Sequence, residues 1–353
     1  MIYSYQDIRK VHLEPSTRCN AACPMCPRYV DGGAGLNQHM PLTELTLKDV
    51  QTIFPKYFIW RLDVLYSCGN FGDPAACREL LDIYDYFRTE NPTFRLGLYT
   101  NASLRTKNWW ADLARTIKRR SNSHGWVTFS IDGLEDTNHL YRVGTNWQKI
   151  MENAQSYIDA GGYAEWEFIV FQHNEHQVEE ARKLAHEMGF RDFIVKKTHR
   201  FQTPEIAVRN RKGETTHHIS PPSTKDYQHK SVKQTSHVPV QTESVQIDCK
   251  VKPQGNIFVS ASGHVFPCCY LASNWWTTQD EMTPLINSAG GPDRIDAKKY
   301  SIQEIVEGPL FRSIEQSWFK YEIKPCGRLA TCTQVCGLKH RVTRVSELNH
   351  DQI

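Results

Sequence analysis

No stretch constrains this chain more than the loop Leu13-Glu14-Pro15-Ser16-Thr17-Arg18-Cys19-Asn20-Ala21-Ala22-Cys23-Pro24-Met25-Cys26. It follows a short apolar segment that reads as a strand, and it spaces three cysteines as Cys-x-x-x-Cys-x-x-Cys. Three thiolates on one tight loop can hold three irons of a four-iron cube, whereas proteins that only carry electrons normally supply four. A set of Cys19, Cys23 and Cys26 therefore leaves one iron open to another ligand. A zinc knuckle is the competing reading, but zinc prefers four ligands and no histidine stands close enough to complete one locally.

The chain around this loop alternates strand-like and helix-like segments up to about Lys197. Strands are expected at Val11 to Glu14, Leu62 to Tyr66, Phe94 to Tyr99, Val127 to Ile131, Glu165 to Phe171 and Phe193 to Val195. Each is short, apolar and rich in branched or aromatic residues, as buried parallel strands are. Helical spacing falls between them, at Ala75 to Tyr86, Trp147 to Ile158 and Val178 to Met188, the last closed by Gly189. Six such units predict an α/β fold, a partial (β/α)6 TIM-like barrel, with ligands held at the C-terminal ends of the strands.

Candidate site residues follow those strand ends. Gly72-Asp73-Pro74 comes after the second strand: glycine permits close backbone approach to a ligand, and Asp73 supplies a carboxylate for an ammonium group. Taken alone this is an ordinary turn with an N-capping Asp. Asn101 lies in the turn after the third strand. Ser130 and Asp132 alternate on one face at the end of the fourth, where hydroxyl and carboxylate suit a ribose, and Arg142 suits a carboxylate.

With these motifs in this order, residues 10 to 197 resemble the radical S-adenosylmethionine (SAM) enzymes. The resemblance implies a [4Fe-4S] cluster on Cys19, Cys23 and Cys26, and S-adenosyl-L-methionine on the open iron. It implies that Gly72, Asp73 and Pro74, a variant of the family's Gly-Gly-Glu-Pro, hold the methionine amino group. Asn101 would join the cofactor-binding set, Ser130 and Asp132 would contact the ribose, Arg142 the cofactor carboxylate, and Val170 the adenine. The family usually has an aromatic residue before the third cysteine; here it is Met25, a soft apolar filler. Reductive cleavage of the cofactor to a 5′-deoxyadenosyl radical, hydrogen abstraction from a substrate, and a reductant such as flavodoxin or ferredoxin are implied with it.

From His199 to Val245 large apolar residues thin out, and nine Lys or Arg stand against three acids between Lys196 and Thr235. This predicts a basic polar linker or lid over residues 199–246, able to recruit a peptide or acidic substrate. Only Phe201 and Tyr227 could stack on bases there, which argues against nucleic acid. No apolar run approaches the roughly 20 residues of a membrane span. Eleven cysteines clustered toward the two ends fit metal sites in a reducing compartment, so a cytoplasmic protein is expected.

Thiols return in residues 247–353. Cys249 precedes a predicted β-hairpin turning at Ser262-Gly263, followed by Cys268 and Cys269; Cys326, Cys332 and Cys336 come later. The pattern resembles the small cysteine-rich SPASM or twitch extension of the same family, a β-hairpin plus helix that holds auxiliary iron–sulfur clusters. Two clusters need about eight ligands, and this region has six cysteines, so one auxiliary [4Fe-4S] cluster is expected. Cys249, Cys268 and Cys336 match its first site; the fourth ligand is open among Cys332, Cys326 and Cys269. A structural zinc site is the competing reading. Cys68 and Cys77 are expected as buried thiols outside both groups. The resemblance points to a peptide or protein side chain as substrate. Oxidation or rearrangement of a small metabolite or nucleotide, and a non-catalytic metal-stabilised binding protein, are the alternatives.

Overall fold

The computed structural model describes residues 4–118, 125–201, 203–228, 246–279, 281–320 and 327–337, which leaves Cys326 outside the described residues. In chain order the strands are β1 (Lys10–Leu13), β2 (Tyr29–Val30), β3 (Gly35–Leu36), β4 (Val64–Ser67), β5 (Arg95–Thr100) and β6 (Trp126–Ser130). They continue with β7 (Ala164–Ile169), β8 (Asp192–Lys196), β9 (Ile206–Arg209), β10 (Thr215–Ile219), β11 (Asn256–Val259) and β12 (Val265–Phe266). The fold is α/β with a mostly parallel eight-stranded sheet. Two compact units divide the chain: a βα unit of Glu14–Thr46 and Val64–His229, and a terminal unit of Met1–Leu13, Leu47–Asp63 and Lys230–Ile353.

In the βα unit, β4 to β8 stand side by side in chain order, and every neighbouring pair is parallel. Parallel neighbours in sequence order require a crossover between each pair. Helices Leu80–Glu90, Lys107–Lys118, Trp147–Asp159 and Val178–Met188 make those crossovers. Each buries one apolar stripe, such as Leu80, Ile83, Tyr84 and Phe87 on the first. Phe129 on β6 sits at the centre of that core, its ring 5.6 Å from Trp110 and 5.8 Å from Tyr157. Gly189 closes the last helix with φ +91°, a left-handed cap that favours glycine.

The helix expected from Ala75 differs. Pro74–Ala76 is one 3-10 turn, and the α-helix begins only at Leu80. Arg105 takes the carbonyls of Ala75 (2.7 Å) and Cys77 (2.5 Å), which a continuous helix would use itself. The stretch read as a polar linker or lid also contains structure. β9 and β10 pair antiparallel, and Val208 and Ile219 are buried. A Cβ on Gly32 would come within 2.0 Å of the Ala207 carbonyl, so the loop after the cysteines touches this hairpin directly.

In the terminal unit, β1 pairs in parallel with β11, Lys10 opposite Asn256 and Leu13 opposite Val259. The hairpin β11–β12 turns at Gly263 (φ +88°), as the sequence predicts. Because β11 pairs with β1 on its other edge, the first and last thirds of the chain share this unit. Helices Cys269–Thr277, Met282–Ser288, Ile302–Val306, Pro309–Ser317 and Ala330–Cys336 complete it.

Candidate metal centres

In the βα unit the cysteine loop folds on short turns. Cys26 N–H donates to Cys23 O and Tyr29 N–H to Cys26 O, each at 3.0 Å, while Ala22 N–H reaches Val143 O at 2.8 Å. These bonds gather Cys19, Cys23 and Cys26 in one apolar cluster with Tyr141, Phe171, Val208 and Ile219, and Met25 packs against it. Tyr141 and Phe171 lie 4.5 Å apart, so aromatic surface reaches the loop from two other elements although Met25 holds the usual aromatic position. Burial pushes all three thiols above their ordinary range, Cys23 to about 11. Arg142 opposes this at Cys23, and Arg200, Arg28 and Arg142 oppose it at Cys26. Thiols so placed become thiolates when a cation binds them. By its chemistry, a set of three thiols on one loop suits three irons of a cluster.

The predicted partners converge on this loop. Asn101 is buried, and its amide donates to the Cys19 sulfur at 3.6 Å and to Asn20 Oδ1 at 3.0 Å. Asp73 caps the Pro74–Ala76 turn, accepting from Ala75 N–H at 2.9 Å. The same carboxylate accepts from the Thr100 hydroxyl (2.9 Å) and from Asn101 N–H (2.8 Å). Gly72 also has a packing role. A Cβ there would stand 1.8 Å from the Ser16 carbonyl, so the glycine lets the cysteine loop lie against it.

Arg142 directs Nε to Asp132 (2.6 Å) and Nη1 toward the Cys23 sulfur (4.0 Å). Asp132 is fully buried, and its other oxygen accepts from Ile169 N–H at 2.6 Å. Its two oxygens thus serve Arg142 and the end of β7. Ser130 is half-buried at the end of β6, and Val170 is fully buried, its N–H on Lys196 O at 3.1 Å.

Sequence reasoning passed over Glu14 and Arg28. Glu14 is fully buried and accepts from Phe71 N–H (2.7 Å) and Gly72 N–H (3.2 Å). Burial lifts it to about 7 against the amides that hold it. Arg28 donates to Thr17 O and to Phe71 O (3.3 Å). Together they tie the Gly72 turn to the cysteine loop. An acid placed directly after a buried strand was the available signal.

In the terminal unit four thiols, Cys249, Cys268, Cys332 and Cys336, line one cavity with Ile314 and Trp318. Cys332 and Cys336 stand one turn apart on helix Ala330–Cys336. Glu281 caps that helix by accepting from Thr331 N–H (3.2 Å) and Thr331 Oγ1 (2.6 Å). Asp248 N–H donates to Cys336 O at 3.0 Å, and Cys249 and Cys336 share a thiol hydrogen bond. Cys268 is the N-cap of helix Cys269–Thr277, where the first-turn amides of Tyr270 and Leu271 favour its thiolate. Cys269 does not line the cavity. Among the described residues no three His, Cys, Asp or Glu side chains close on a point for one ion. A single zinc wants its thiolates about 3.8 Å apart; the corners of an iron–sulfur cube are wider.

Residues 13–188 match the family model described as Radical SAM superfamily. The chain therefore carries a domain of that superfamily, whose members are enzymes using a [4Fe-4S] cluster and S-adenosylmethionine. Among solved structures, hexahistidine-tagged anSMEcpe with bound AdoMet is similar at 14% identity and TM-score 0.52, over 89% of this chain and 81% of that one. Native anSMEcpe with bound AdoMet and Kp18Cys peptide gives 14% and 0.51, over 88% and 84%. Streptococcus suis SuiB bound to precursor peptide SuiA gives 11% and 0.50, over 84% and 64%. SuiB bound to S-adenosylmethionine matches at 13% and 0.49 over 75% of this chain, which spans 61% of that protein's length. At these identities the likeness is one of fold. No curated protein matches.

Proposed function

We propose that this chain is a radical SAM enzyme that modifies a peptide or protein side chain with the help of one auxiliary [4Fe-4S] cluster. The convergence of Asn101 and Arg142 on the thiols of the Cys19–Cys26 loop carries the reading. When bound, the cluster and S-adenosylmethionine supply a carbon radical able to take hydrogen from an unactivated C–H bond.

The chain's own residues prepare that site. Cys19, Cys23 and Cys26 hold three irons, and the apolar cluster around them excludes water. Asp73, fixed by Thr100 and Asn101, is an acceptor for the cofactor ammonium with little left to reorganise. Arg142 takes the cofactor carboxylate while Asp132 holds its Nε in place, so Asp132 acts through Arg142. Ser130 serves the ribose, and Met25, Val170 and the Tyr141–Phe171 pair bound the adenine. Asn101 donates to a ligating sulfur.

Cys249, Cys268, Cys332 and Cys336 are the auxiliary ligands in this reading, because they share one buried cavity. The peptide substrate is supported by relatives of the same fold solved with peptides. Exposed Arg209, Arg211 and Lys212 on the β9–β10 hairpin suit an acidic segment of it. Flavodoxin or ferredoxin is the proposed electron source. No described helix is long and apolar enough to cross a membrane.

Anaerobically reconstituted protein with dithionite and S-adenosylmethionine is expected to hold about eight irons per chain and to release 5′-deoxyadenosine. Zinc-loaded, colourless protein that releases none would overturn the enzyme reading.

A further inference from the structure

We infer that Trp318 is a positioning residue of the auxiliary centre, donating its indole N–H to the Cys332 sulfur and holding the centre's potential up. The inference rests on the proposed cluster at Cys249, Cys268, Cys332 and Cys336. Trp318 and all four thiols line the same cavity. Its Nε1 is buried and makes no well-formed hydrogen bond. Its backbone is anchored on both sides: the carbonyl accepts from Arg328 Nη2 at 3.0 Å, and the N–H donates to Glu315 O at 3.1 Å. The indole lies within side-chain hydrogen-bonding reach of the Cys332 sulfur.

A buried N–H without an acceptor is rare and calls for an explanation. Here the acceptor is a sulfur that becomes strongly accepting only as a thiolate, which is its state on iron. Donation to a ligating sulfur withdraws electron density from the cluster and favours its reduced, more negative state. At Cys268 the backbone amides of Tyr270 and Leu271 favour the thiolate. At Cys332 the donor is a side chain, so it can be removed by substitution.

The experiment uses the full chain with Cys19, Cys23 and Cys26 replaced by Ala, reconstituted anaerobically, so that only the auxiliary centre reports. About four irons per chain establish that the centre exists; none would overturn the cluster reading itself. With iron present, Trp318→Phe is expected to lower the reduced-to-oxidised ratio about tenfold at a fixed poise, which is ~59 mV for one electron. An unchanged ratio at equal iron content would overturn the role of Trp318 alone. Should Trp318→Phe fail to load iron, the unsubstituted tryptophan decides. With [15N-indole]tryptophan, pulsed EPR of the reduced centre is expected to show an indole nitrogen coupling through the sulfur. Its absence would also overturn the role.

Discussion

The two groups of thiols in this chain sit in different surroundings. The βα unit supplies three cysteines from eight consecutive residues, Cys19 to Cys26, in an apolar cluster that also brings polar groups to them: Arg142 at Cys23, Arg28 and Arg200 near Cys26, and the Asn101 amide at Cys19. The terminal unit supplies four from three separate segments and surrounds them with Ile314, Leu271, Val251 and Trp318. Three thiolates among cations suit a centre with an open corner that must also receive a charged ligand. Four thiolates in an apolar pocket suit a closed centre that exchanges electrons only. In the proposed reading, the residues around each set differ as much as the thiol counts do.

The largest test of that contrast is removal of the open site. Replacing Cys19, Cys23 and Cys26 by Ala is expected to abolish 5′-deoxyadenosine release while about four irons remain. Loss of all iron would mean that the terminal unit holds no cluster. Next, Cys332→Ala is expected to lose about four irons yet still cleave S-adenosylmethionine without substrate, whereas Cys269→Ala should leave the iron content unchanged. If Cys269→Ala lost iron and Cys332→Ala did not, the fourth ligand would be misassigned.

Smaller effects sharpen the electrostatic side. Arg142→Met leaves the Asp132 carboxylate buried beside no countercharge, an expected cost of about 3–5 kcal/mol. Adding Asp132→Asn should recover part of the lost urea midpoint, and no recovery would mean the pair is not coupled. The smallest effects are in pH. Glu14 is raised to about 7, so the folded βα unit keeps a proton that the unfolded chain releases above its ordinary 4.5. Its contribution to stability is present at acid pH and is lost as pH rises through that window, by about 3 kcal/mol. His264 in the terminal unit is lowered by burial from 6.5 to about 4, and stability there falls as pH drops across that range. Urea unfolding between about pH 4.5 and 7.5 should show the opposed slopes, flattened by Glu14→Gln and His264→Gln respectively.

Much of the βα unit was legible because its signals are local. Its five predicted strands and the helix ended by Gly189 stand within about two residues of where apolar periodicity puts them. Asn101 and Arg142 stand out in sequence by their place after strands; in the structure the Asn101 amide donates to the Cys19 sulfur at 3.6 Å and Arg142 Nη1 lies 4.0 Å from the Cys23 sulfur. The β9–β10 hairpin was not legible, because only Val208 and Ile219 are buried among Thr, His and Arg. Such a strand pair takes its apolar cover from the cysteine loop rather than from its own pattern. The sequence points to Gly72 for closeness to a ligand; only the structure adds that its missing side chain makes room for Ser16.

By itself the sequence determined the things that spacing along the chain controls: a three-thiol loop, the order of strands and helices, and a hairpin flanked by cysteines. Only the tertiary structure decided which distant groups meet. It put Asp132 behind Arg142, and Glu14 under the Gly72 turn. It also joined the first strand to the C-terminal hairpin, and gathered Cys249, Cys268, Cys332 and Cys336 without Cys269. The reason is range. Turns and periodicity act over a few residues, while the partner of a buried charge or thiol is chosen by packing across the whole unit.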